Sequence, residues 1–351
     1  MEKTDLENKL LTCAFCPTIC RPMCPADEAL GYETAAPSGM GRTGYLLLKD
    51  IIEWNKENTS SLYYCVGCER CVTMCPFADF NLADYIRDAR RYAIEKNALP
   101  DAPRKVLTYM KENFNPYGEK IESPLVEGNG KVLYYPGCTA QLRQPEIIKA
   151  TITVLERLSI DYSIIKNACC GRPALNIGDT ETFLTIARRT MEKISEREYE
   201  LIVTGCPTCA ETLTKYYKKY GLKEYNVVPI SVFINSRLSK SPNMNKMGKV
   251  VYHDPCSLGR RLGYFEEPRE LLAKVGFEVI EPFHSREKAT CCGNGGWALS
   301  SRKITEIRKI ELAEAGVAIV TSCPTCKKNL SNGSQKVRDI IELVAEVLQQ
   351  K

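Results

Sequence analysis

Apolar residues near the start of the chain recur at the three- and four-residue spacing that marks one face of an α-helix. The stretches 44–55 and 81–96 both show this spacing, and runs of β-branched residues are nearly absent before position 97. The N-terminal part is therefore predicted to be helical rather than built on a sheet. The positions that carry the pattern are Leu47, Leu48, Ile51 and Ile52 in the first stretch and Leu82, Tyr85, Ile86, Ala89 and Ala93 in the second.

The pattern changes after residues 115–130, a segment rich in Pro, Gly and charged residues that is predicted to be a linker. Beyond it, short apolar runs suited to buried strands alternate with helical stretches such as 182–196. This alternation is typical of parallel α/β sheets. Each of the clearest apolar runs precedes a cysteine, and these runs lie at 132–135, 201–203, 250–252 and 317–320.

The α/β part contains an internal repeat. IVTGCPTCAETL at 202–213 recurs as IVTSCPTCKKNL at 319–330, and residues 236–249 are the expected link between the copies. The cysteines repeat in register, because Cys138, Cys170 and Cys206 recur as Cys256, Cys292 and Cys323 at offsets of 118, 122 and 117 residues.

These patterns predict an α+α/β fold class. We expect an α-helical domain over residues 1–114, followed by two duplicated α/β domains over 131–235 and 250–351. A chain of 351 residues is long enough to give each of these domains its own core.

Charge and hydropathy narrow the range of partners. The net charge of +5 is spread along the chain, which argues against a nucleic-acid surface or a polybasic membrane patch. No apolar run approaches the roughly 20 residues that a membrane helix needs, and the polar N-terminus lacks a signal-peptide core. We therefore expect a cytoplasmic protein, and peripheral attachment to the inner face of a membrane through a partner subunit stays open.

The chain has 18 cysteines, most of them in CxxC-type or adjacent groupings. Thiols stay reduced in the cytosol, so regularly spaced cysteines indicate metal ligands before disulfides. The adjacent pairs Cys169–Cys170 and Cys291–Cys292 also could not easily form disulfides within themselves.

The first eight cysteines have ferredoxin spacing. CVGCERCVTMCP at 65–76 is C-x2-C-x2-C-x3-C-P, and CAFCPTICRPMCP at 13–25 has one extra residue between its second and third cysteines. In such motifs three close thiolates hold one cubane, whereas the fourth, before a proline, ligates the other cluster. A pair of zinc sites is the alternative, which the spacing disfavours. The predicted ligands are Cys13, Cys16, Cys20 and Cys75 for one [4Fe–4S] cluster and Cys24, Cys65, Cys68 and Cys71 for the other.

The other ten cysteines form two blocks of five, and this spacing fits no simple ferredoxin rule. Cubane clusters need four thiolates, so five indicate either an unusual cluster or a labile ligand. The cysteines follow predicted strands, where parallel sheets present their ligand-binding loops. The first block is Cys138, Cys169, Cys170, Cys206 and Cys209, and the second block is Cys256, Cys291, Cys292, Cys323 and Cys326.

The motifs around these blocks carry a family resemblance. They are YYPGCTAQLRQPE (134–146), ACCGRPALNIGD (168–179), GCPTC (205–209), YHDPCSLGRRLG (252–263), TCCGNGGW (290–297) and SCPTC (322–326). On these motifs, residues 131–330 resemble two copies of the CCG cysteine-rich domain. The whole chain resembles the fused catalytic subunit of heterodisulfide reductases. The same architecture occurs in iron–sulfur subunits of glycolate oxidase, lactate-utilisation and anaerobic glycerol-3-phosphate dehydrogenase complexes.

The resemblance implies that each block binds a non-cubane [4Fe–4S] cluster through its five cysteines. Both sets are complete here, which favours a member that acts on disulfides. The family motif has His after the cysteine of HDPC, whereas this chain has Ser257, so a substrate that touches this position would differ. His253 of the same motif is a candidate donor of a hydrogen bond to a cluster or of a proton to a leaving thiolate, although a structural loop histidine is equally compatible.

The leading hypothesis is an iron–sulfur oxidoreductase subunit that reduces a disulfide or oxidises the corresponding dithiols. Two cubane clusters would carry electrons singly from a partner subunit, a flavoprotein or a membrane cytochrome, to the paired non-cubane clusters. The alternative is an electron-transfer subunit that serves a flavin-linked 2-hydroxy-acid or glycerol-3-phosphate dehydrogenase. A zinc-bound scaffold is the third possibility. We find no flavin or NAD motif in the chain and no feature that indicates nucleic-acid binding.

Overall fold

The computed structural model describes residues 1–239, 246–295, 299–331 and 336–350. The chain divides into two compact units, each assembled from three segments. Unit 1 consists of Met1–Lys120, Gly171–Leu184 and Thr290–Arg308, and unit 2 consists of Ile121–Cys170, Thr185–Ala289 and Lys309–Lys351. Residues 240–245 of the expected link between the copies lie outside the described residues. The domain boundaries proposed above stay predictions.

Unit 1 is helical over its N-terminal segment, as the apolar spacing predicts. The first and third helices pack against each other and against the fifth, and they bury leucines such as Leu6, Leu10 and Leu47 completely. The α-helices of residues 1–120 are α1 (Lys3–Phe15), α2 (Pro25–Leu30), α3 (Pro37–Leu48), α4 (Lys56–Ser60), α5 (Leu82–Glu95) and α6 (Asp101–Asn113).

The two helices predicted from apolar spacing differ in outcome. The prediction for 81–96 is confirmed by α5, which begins after Asn81 because that side chain caps the helix by accepting from the Asp84 backbone N–H. The prediction for 44–55 is wrong in its second half, since α3 ends at Leu48. Asp50 has a left-handed φ of 52°, which stops the helix, and Ile51 beyond it is 63% exposed.

Unit 2 contains two sheets of mainly parallel strands, as the alternation of strands and helices predicts. The order is β1-β3-β2-β4-β5 in the first sheet and β7-β6-β8-β9 in the second. Only β1 is antiparallel to its neighbour among the pairings of the described residues. The strands are β1 (Leu125–Glu127), β2 (Val132–Tyr135), β3 (Tyr162–Lys166), β4 (Leu201–Thr204), β5 (Val227–Pro229), β6 (Gly248–His253), β7 (Phe277–Ile280), β8 (Ala318–Thr321) and β9 (Val337–Asp339).

Parallel strands require crossover connections, which the intervening helices supply. The predicted helix at 182–196 is observed as α10, displaced by two residues at each end. The remaining α-helices are α7 (Gly137–Arg143), α8 (Pro145–Arg157), α9 (Arg172–Ile177), α10 (Thr180–Ile194), α11 (Pro207–Glu211), α12 (Tyr217–Lys219), α13 (Ile230–Arg237), α14 (Glu267–Lys274), α15 (Leu299–Ala313), α16 (Pro324–Leu330) and α17 (Ile340–Gln349).

One apolar core serves both sheets of unit 2. Helices α8 and α17 pack together, and α13 packs on α14, so that residues of the first sheet's helices meet those of the second. Val154 and Leu155 of α8 and Ile341 and Val344 of α17 are completely buried in this core. Among the described residues, no helix combines the length and apolar character that crossing a bilayer requires.

Candidate metal centres

The eight N-terminal cysteines gather around two cavities in unit 1. The larger has a volume of about 430 Å³ and the smaller about 340 Å³, and both are partly open to solvent. Cys71 lines both of them. Apart from Cys71, the larger cavity is lined by Cys13, Cys16, Cys20 and Cys75, and the smaller by Cys24, Cys65 and Cys68. Each cavity is thus lined by the four cysteines of one predicted ligand set, with Cys71 bordering the other cavity as well. The ligand sets themselves stay predictions.

Backbone conformation bends the cysteine loops around these cavities. Thr18 and Glu69 have left-handed φ angles of 61° and 60°, which turn the chain between successive cysteines. Cys24 is followed by Pro25, the first residue of α2. Proline suits this first turn, so the helix begins directly after the cysteine. The Gly67 backbone N–H donates to Cys65 Sγ at 3.4 Å, so the loop already directs a donor at a sulfur atom.

The crowding of these thiols changes their acidity. Burial raises the pKa of Cys13 to about 12 and that of Cys20 to about 11, and the neighbouring thiols add to both shifts. Burial also raises the pKa of Cys24 and Cys71 well above the ordinary thiol range. Thiolates at these positions need a compensating positive charge, which iron supplies while displacing the protons. The donor set therefore fits a metal cluster that compensates the buried thiolates.

A buried arginine holds the loop before the second CxxC group. Arg90 of α5 donates to Leu62 O and Cys65 O from Nη2, at 2.6 Å in each case, and to Asn176 O from Nη1 at 2.7 Å. Its side chain is 3% exposed. One guanidinium thus holds three main-chain carbonyls from two segments of unit 1, and one of these is the carbonyl of Cys65.

The five cysteines of the first block all lie in unit 2 and are all buried. They follow β2, β3 and β4, which are neighbouring parallel strands, so their loops emerge at the same edge of the sheet. Cys138 lies at the start of α7 and Cys206 caps α11. The Cys169 thiol donates to Cys138 Sγ, with the two sulfurs 3.7 Å apart.

The thiols of the first block are in direct electrostatic contact. Hydrogen bonds from Cys209 and Cys323 lower the pKa of Cys206 to about 5. The pKa of Cys209 is raised, chiefly by its hydrogen bonds with Cys170 and Cys206 and by burial. Hydrogen bonds thus link the five thiols in one chain, in the order Cys138, Cys169, Cys170, Cys209 and Cys206. Buried thiols of unequal acidity at this density are a donor set that suits a metal centre.

The second block is divided between the units. Cys256, Cys323 and Cys326 belong to unit 2, whereas Cys291 and Cys292 belong to unit 1. Cys256 follows β6, and Cys323 precedes α16 as its cap. Two residues of the TCCGNGGW motif, Gly296 and Trp297, lie outside the described residues.

Local bonds fix parts of the second block within each unit. In unit 1, the Gly293 N–H donates to Cys291 Sγ at 3.3 Å, and Thr305 donates to the Cys292 carbonyl at 2.8 Å. In unit 2, His253 is buried at the end of β6, and one of its ring nitrogens lies within 4.8 Å of Cys326 Sγ.

The two blocks meet within unit 2 through their CPTC motifs. The Thr208 hydroxyl lies 3.0 Å from that of Ser257, and the Thr139 hydroxyl lies 3.3 Å from that of Thr325. Ser257, the position at which the family motif has His, therefore contacts the other block.

A buried ion pair adds to the contact between the blocks. Arg261 Nη1 donates to Glu211 Oε2 at 2.9 Å, and both side chains are nearly inaccessible to solvent.

Comparison with known proteins agrees with the motifs. A 4Fe-4S dicluster domain matches residues 9–78, and a cysteine-rich domain designated CCG matches residues 132–214 and again 250–331. The chain belongs to the iron–sulfur proteins that combine a dicluster domain with CCG domains. The resemblance drawn from the motifs is thereby confirmed.

Named relatives extend this assignment. The CCG protein is 30% identical to a subunit of the fumarate reductase (CoM/CoB) of Methanothermobacter marburgensis, over 81% of this chain and 61% of the relative. It is 30% identical to a probable membrane-anchored ferredoxin of Chromohalobacter salexigens, over 83% of this chain and 49% of the relative. It is 27% identical to a subunit of the dihydromethanophenazine:CoB–CoM heterodisulfide reductase of Methanosarcina barkeri, over 84% of this chain and 79% of the relative. The chain thus spans less than two thirds of the length of the first two relatives.

Sequence reasoning missed Arg90 and the contacts between the blocks. A signal for Arg90 exists, because it occupies the same helical face as Ile86 and Ala93, both fully buried. A charged residue on an apolar face indicates a buried ion or a carbonyl clamp. The pairing of Thr208 with Ser257 leaves no such signal, since it depends on the packing of two distant segments.

Proposed function

We propose that the chain is an oxidoreductase subunit that passes electrons to a disulfide, or receives them from the corresponding dithiols. The observation that carries the proposal is the gathering of five buried thiols in unit 2, together with two further sets of thiols around cavities in unit 1. Splitting one disulfide consumes two electrons and two protons and yields two thiols. Several one-electron centres in one chain suit that requirement.

The N-terminal part would hold two cubane [4Fe–4S] clusters, with the crossed ligand sets predicted from spacing. Support comes from the two cavities, each lined by one complete set. Iron–sulfur clusters transfer single electrons, and their potentials depend on hydrogen bonds and exposure. We assign to this region the relay of electrons between a partner and the CCG sites.

The two CCG regions would each hold a non-cubane [4Fe–4S] cluster through one block of five cysteines. The duplication behind this assignment is supported by the shared strand order of the sheets and by the two matches to the cysteine-rich domain. We retain the domain boundaries 131–235 and 250–351 as part of this proposal. When bound, such clusters supply iron that can take up a substrate sulfur.

The disulfide substrate class is supported by the relatives. One is named as part of a heterodisulfide reductase and another as part of a CoM/CoB fumarate reductase. Neither they nor the third relative described above is named for a 2-hydroxy acid or glycerol phosphate, so the dehydrogenase alternative is not favoured. His253 remains a candidate proton donor in this scheme because it is buried close to Cys326.

A partner subunit would exchange electrons at the larger cavity. Cys16, Cys20 and Cys75 are only partly buried there. Apolar side chains that border these cysteines in sequence are exposed, and Ile19 and Phe77 also line the cavity. We propose that this apolar rim, comprising Phe15, Ile19, Met74 and Phe77, receives a flavoprotein or cytochrome subunit. Such a partner would hold the cytoplasmic chain at the inner face of a membrane where the partner itself is a membrane protein.

The test combines metal content with turnover on anaerobically purified protein. Four four-iron clusters require about sixteen irons with matching sulfide, whereas about eight would contradict the assignment of the CCG blocks. Cys170→Ser and Cys292→Ser are expected to abolish reduction of small organic disulfides by reduced viologen while leaving the cubane EPR signals intact. Unchanged turnover in both variants would refute the disulfide proposal. A colourless zinc protein would refute the iron–sulfur assignments as a whole.

A further inference from the structure

Tyr135 is a buried tyrosine at the end of β2, three residues before Cys138. Its side chain is 0% exposed, and its hydroxyl has no hydrogen-bond partner among the described residues. An unpaired hydroxyl in the interior is costly, so native proteins nearly always give such a group a partner. The hydroxyl therefore points to a ligand that the surrounding residues would hold.

The surroundings of Tyr135 identify that ligand's position. Burial raises the pKa of Tyr135 well above its ordinary value, and the nearby thiols of Cys209, Cys170 and Cys169 act in the same direction. Gly137 lies between the Tyr135 ring and these thiols. A Cβ placed at Gly137 would be 3.0 Å from Cys209 Sγ and 3.9 Å from Tyr135 Cε1. The phenol thus lies near three of the five thiols of the first block, those of Cys169, Cys170 and Cys209.

We propose that the Tyr135 hydroxyl donates a hydrogen bond to a sulfur of the iron–sulfur centre held by the first block, and that this bond raises the centre's reduction potential. The inference rests on the proposed function in one respect, which is that the first block holds such a centre. Reduction adds negative charge to the cluster, so a donor to its sulfur stabilises the reduced form more than the oxidised form. Tyr135 acts as a positioning and tuning residue and does not exchange electrons itself.

The repeat gives the two blocks different donors. Tyr135 ends β2 three residues before Cys138, and His253 ends β6 three residues before Cys256. They pair with equivalent residues of the neighbouring strands, Thr204 and Thr321. A phenol at one block and an imidazole at the other make the two centres unequal in potential, although their cysteine sets are alike.

The experiment compares Tyr135→Phe with Tyr134→Phe in the full, anaerobically purified chain. Tyr134 is the matched control, because it is equally buried but its hydroxyl is 3.2 Å from Thr151 Oγ1. The readouts are the midpoint potential of each EPR signal and the coupling of an exchangeable proton to the reduced centre. Tyr135→Phe is expected to lower the equilibrium constant for one-electron reduction of one centre about tenfold, which is a shift of about 59 mV to lower potential. It is also expected to remove the proton coupling. Tyr134→Phe is expected to change neither.

Three results would overturn the inference. Full iron content with an unchanged potential in Tyr135→Phe would overturn the inference alone and leave the proposed function standing. About eight irons in the wild-type chain would remove the centre itself and would overturn both. An equal shift in Tyr134→Phe would assign the effect to packing and would also reject a specific role for Tyr135.

Discussion

The hydroxyl oxygens of Thr208 and Ser257 lie 3.0 Å apart and share a hydrogen bond. The equivalent pair, Thr139 and Thr325, is 3.3 Å apart. In both cases the threonine of one CPTC motif contacts the residue that follows the first cysteine of the other block. The two cysteine-rich sequences of unit 2 are therefore joined by reciprocal bonds beside the thiols that we assign to metal binding.

Breaking the Thr208–Ser257 bond should destabilise unit 2. Thr208→Val and Ser257→Ala are each expected to lower the free energy of unfolding by about 1 kcal/mol, because the remaining hydroxyl loses its partner. The double variant should cost clearly less than the sum of the two single changes. Denaturant unfolding of the four chains measures the coupling, and additive effects would show that the hydroxyls are not bonded in solution.

Arg90→Lys should disturb the second predicted cubane site. Lysine keeps the charge but cannot bond three carbonyls from one planar group, so we expect a loss of at least about 3 kcal/mol in unfolding free energy. The EPR signal assigned to the Cys24, Cys65, Cys68 and Cys71 set should weaken in the same variant. The adjacent Arg91→Lys is the control, since that side chain is partly exposed and bonds to Tyr92. An equal effect of both changes would argue against the clamp.

The buried carboxyl of Asp339 predicts a pH dependence of stability. Burial raises the pKa of Asp339 from 3.8 to about 8. The folded chain therefore binds a proton that the unfolded chain releases, and the free energy of unfolding should fall as pH rises between about 4 and 8. Asp339→Asn should flatten this dependence and raise stability at pH 8, because Asn can still accept from the Ile341 N–H and cap α17.

Thermal unfolding measured from pH 5 to 8 tests the role of Asp339. The exposed Asp161 provides the comparison, and Asp161→Asn should leave the slope as it is in the wild type. A slope that persists in Asp339→Asn would mean that other groups titrate in this range.

The apolar rim around the larger cavity predicts that a substitution on this surface slows electron exchange with the partner. Phe15→Ser is expected to weaken binding of the proposed redox partner by roughly tenfold, because aromatic side chains contribute strongly at interfaces. Phe15 is 83% exposed, so the change should leave iron content and EPR signals unaltered. Phe283→Ser removes a phenylalanine that is 87% exposed in unit 2 and serves as the control. Titration of the partner, followed by the rate of cluster reduction, measures both variants.

The sequence predicted those features of the fold that depend on residues close together along the chain. The helix α5 and the strands before Cys138, Cys206, Cys256 and Cys323 follow from apolar spacing. The crossed ligand sets of the first eight cysteines stay a prediction from the ferredoxin rule. The end of α3 was missed because one left-handed residue, Asp50, overrides a pattern that continues past it.

Other features depend on packing between segments distant in sequence. The carbonyl clamp of Arg90 requires residues 62, 65 and 176 to be close together, and spacing along one helix cannot show this. The unpaired hydroxyl of Tyr135 is likewise visible only when every neighbour has been placed. The sequence shows an apolar strand ending there, which is compatible with an ordinary core tyrosine.

Cys71 borders both cavities of unit 1, so the two cluster sites proposed there would share one wall. Like charges near one another repel more strongly in a protein interior than in water. Adding an electron at one site would make the other harder to reduce until the first electron moves on. The wall formed by Cys71 would thereby favour single-electron transfers in sequence over two electrons held at once.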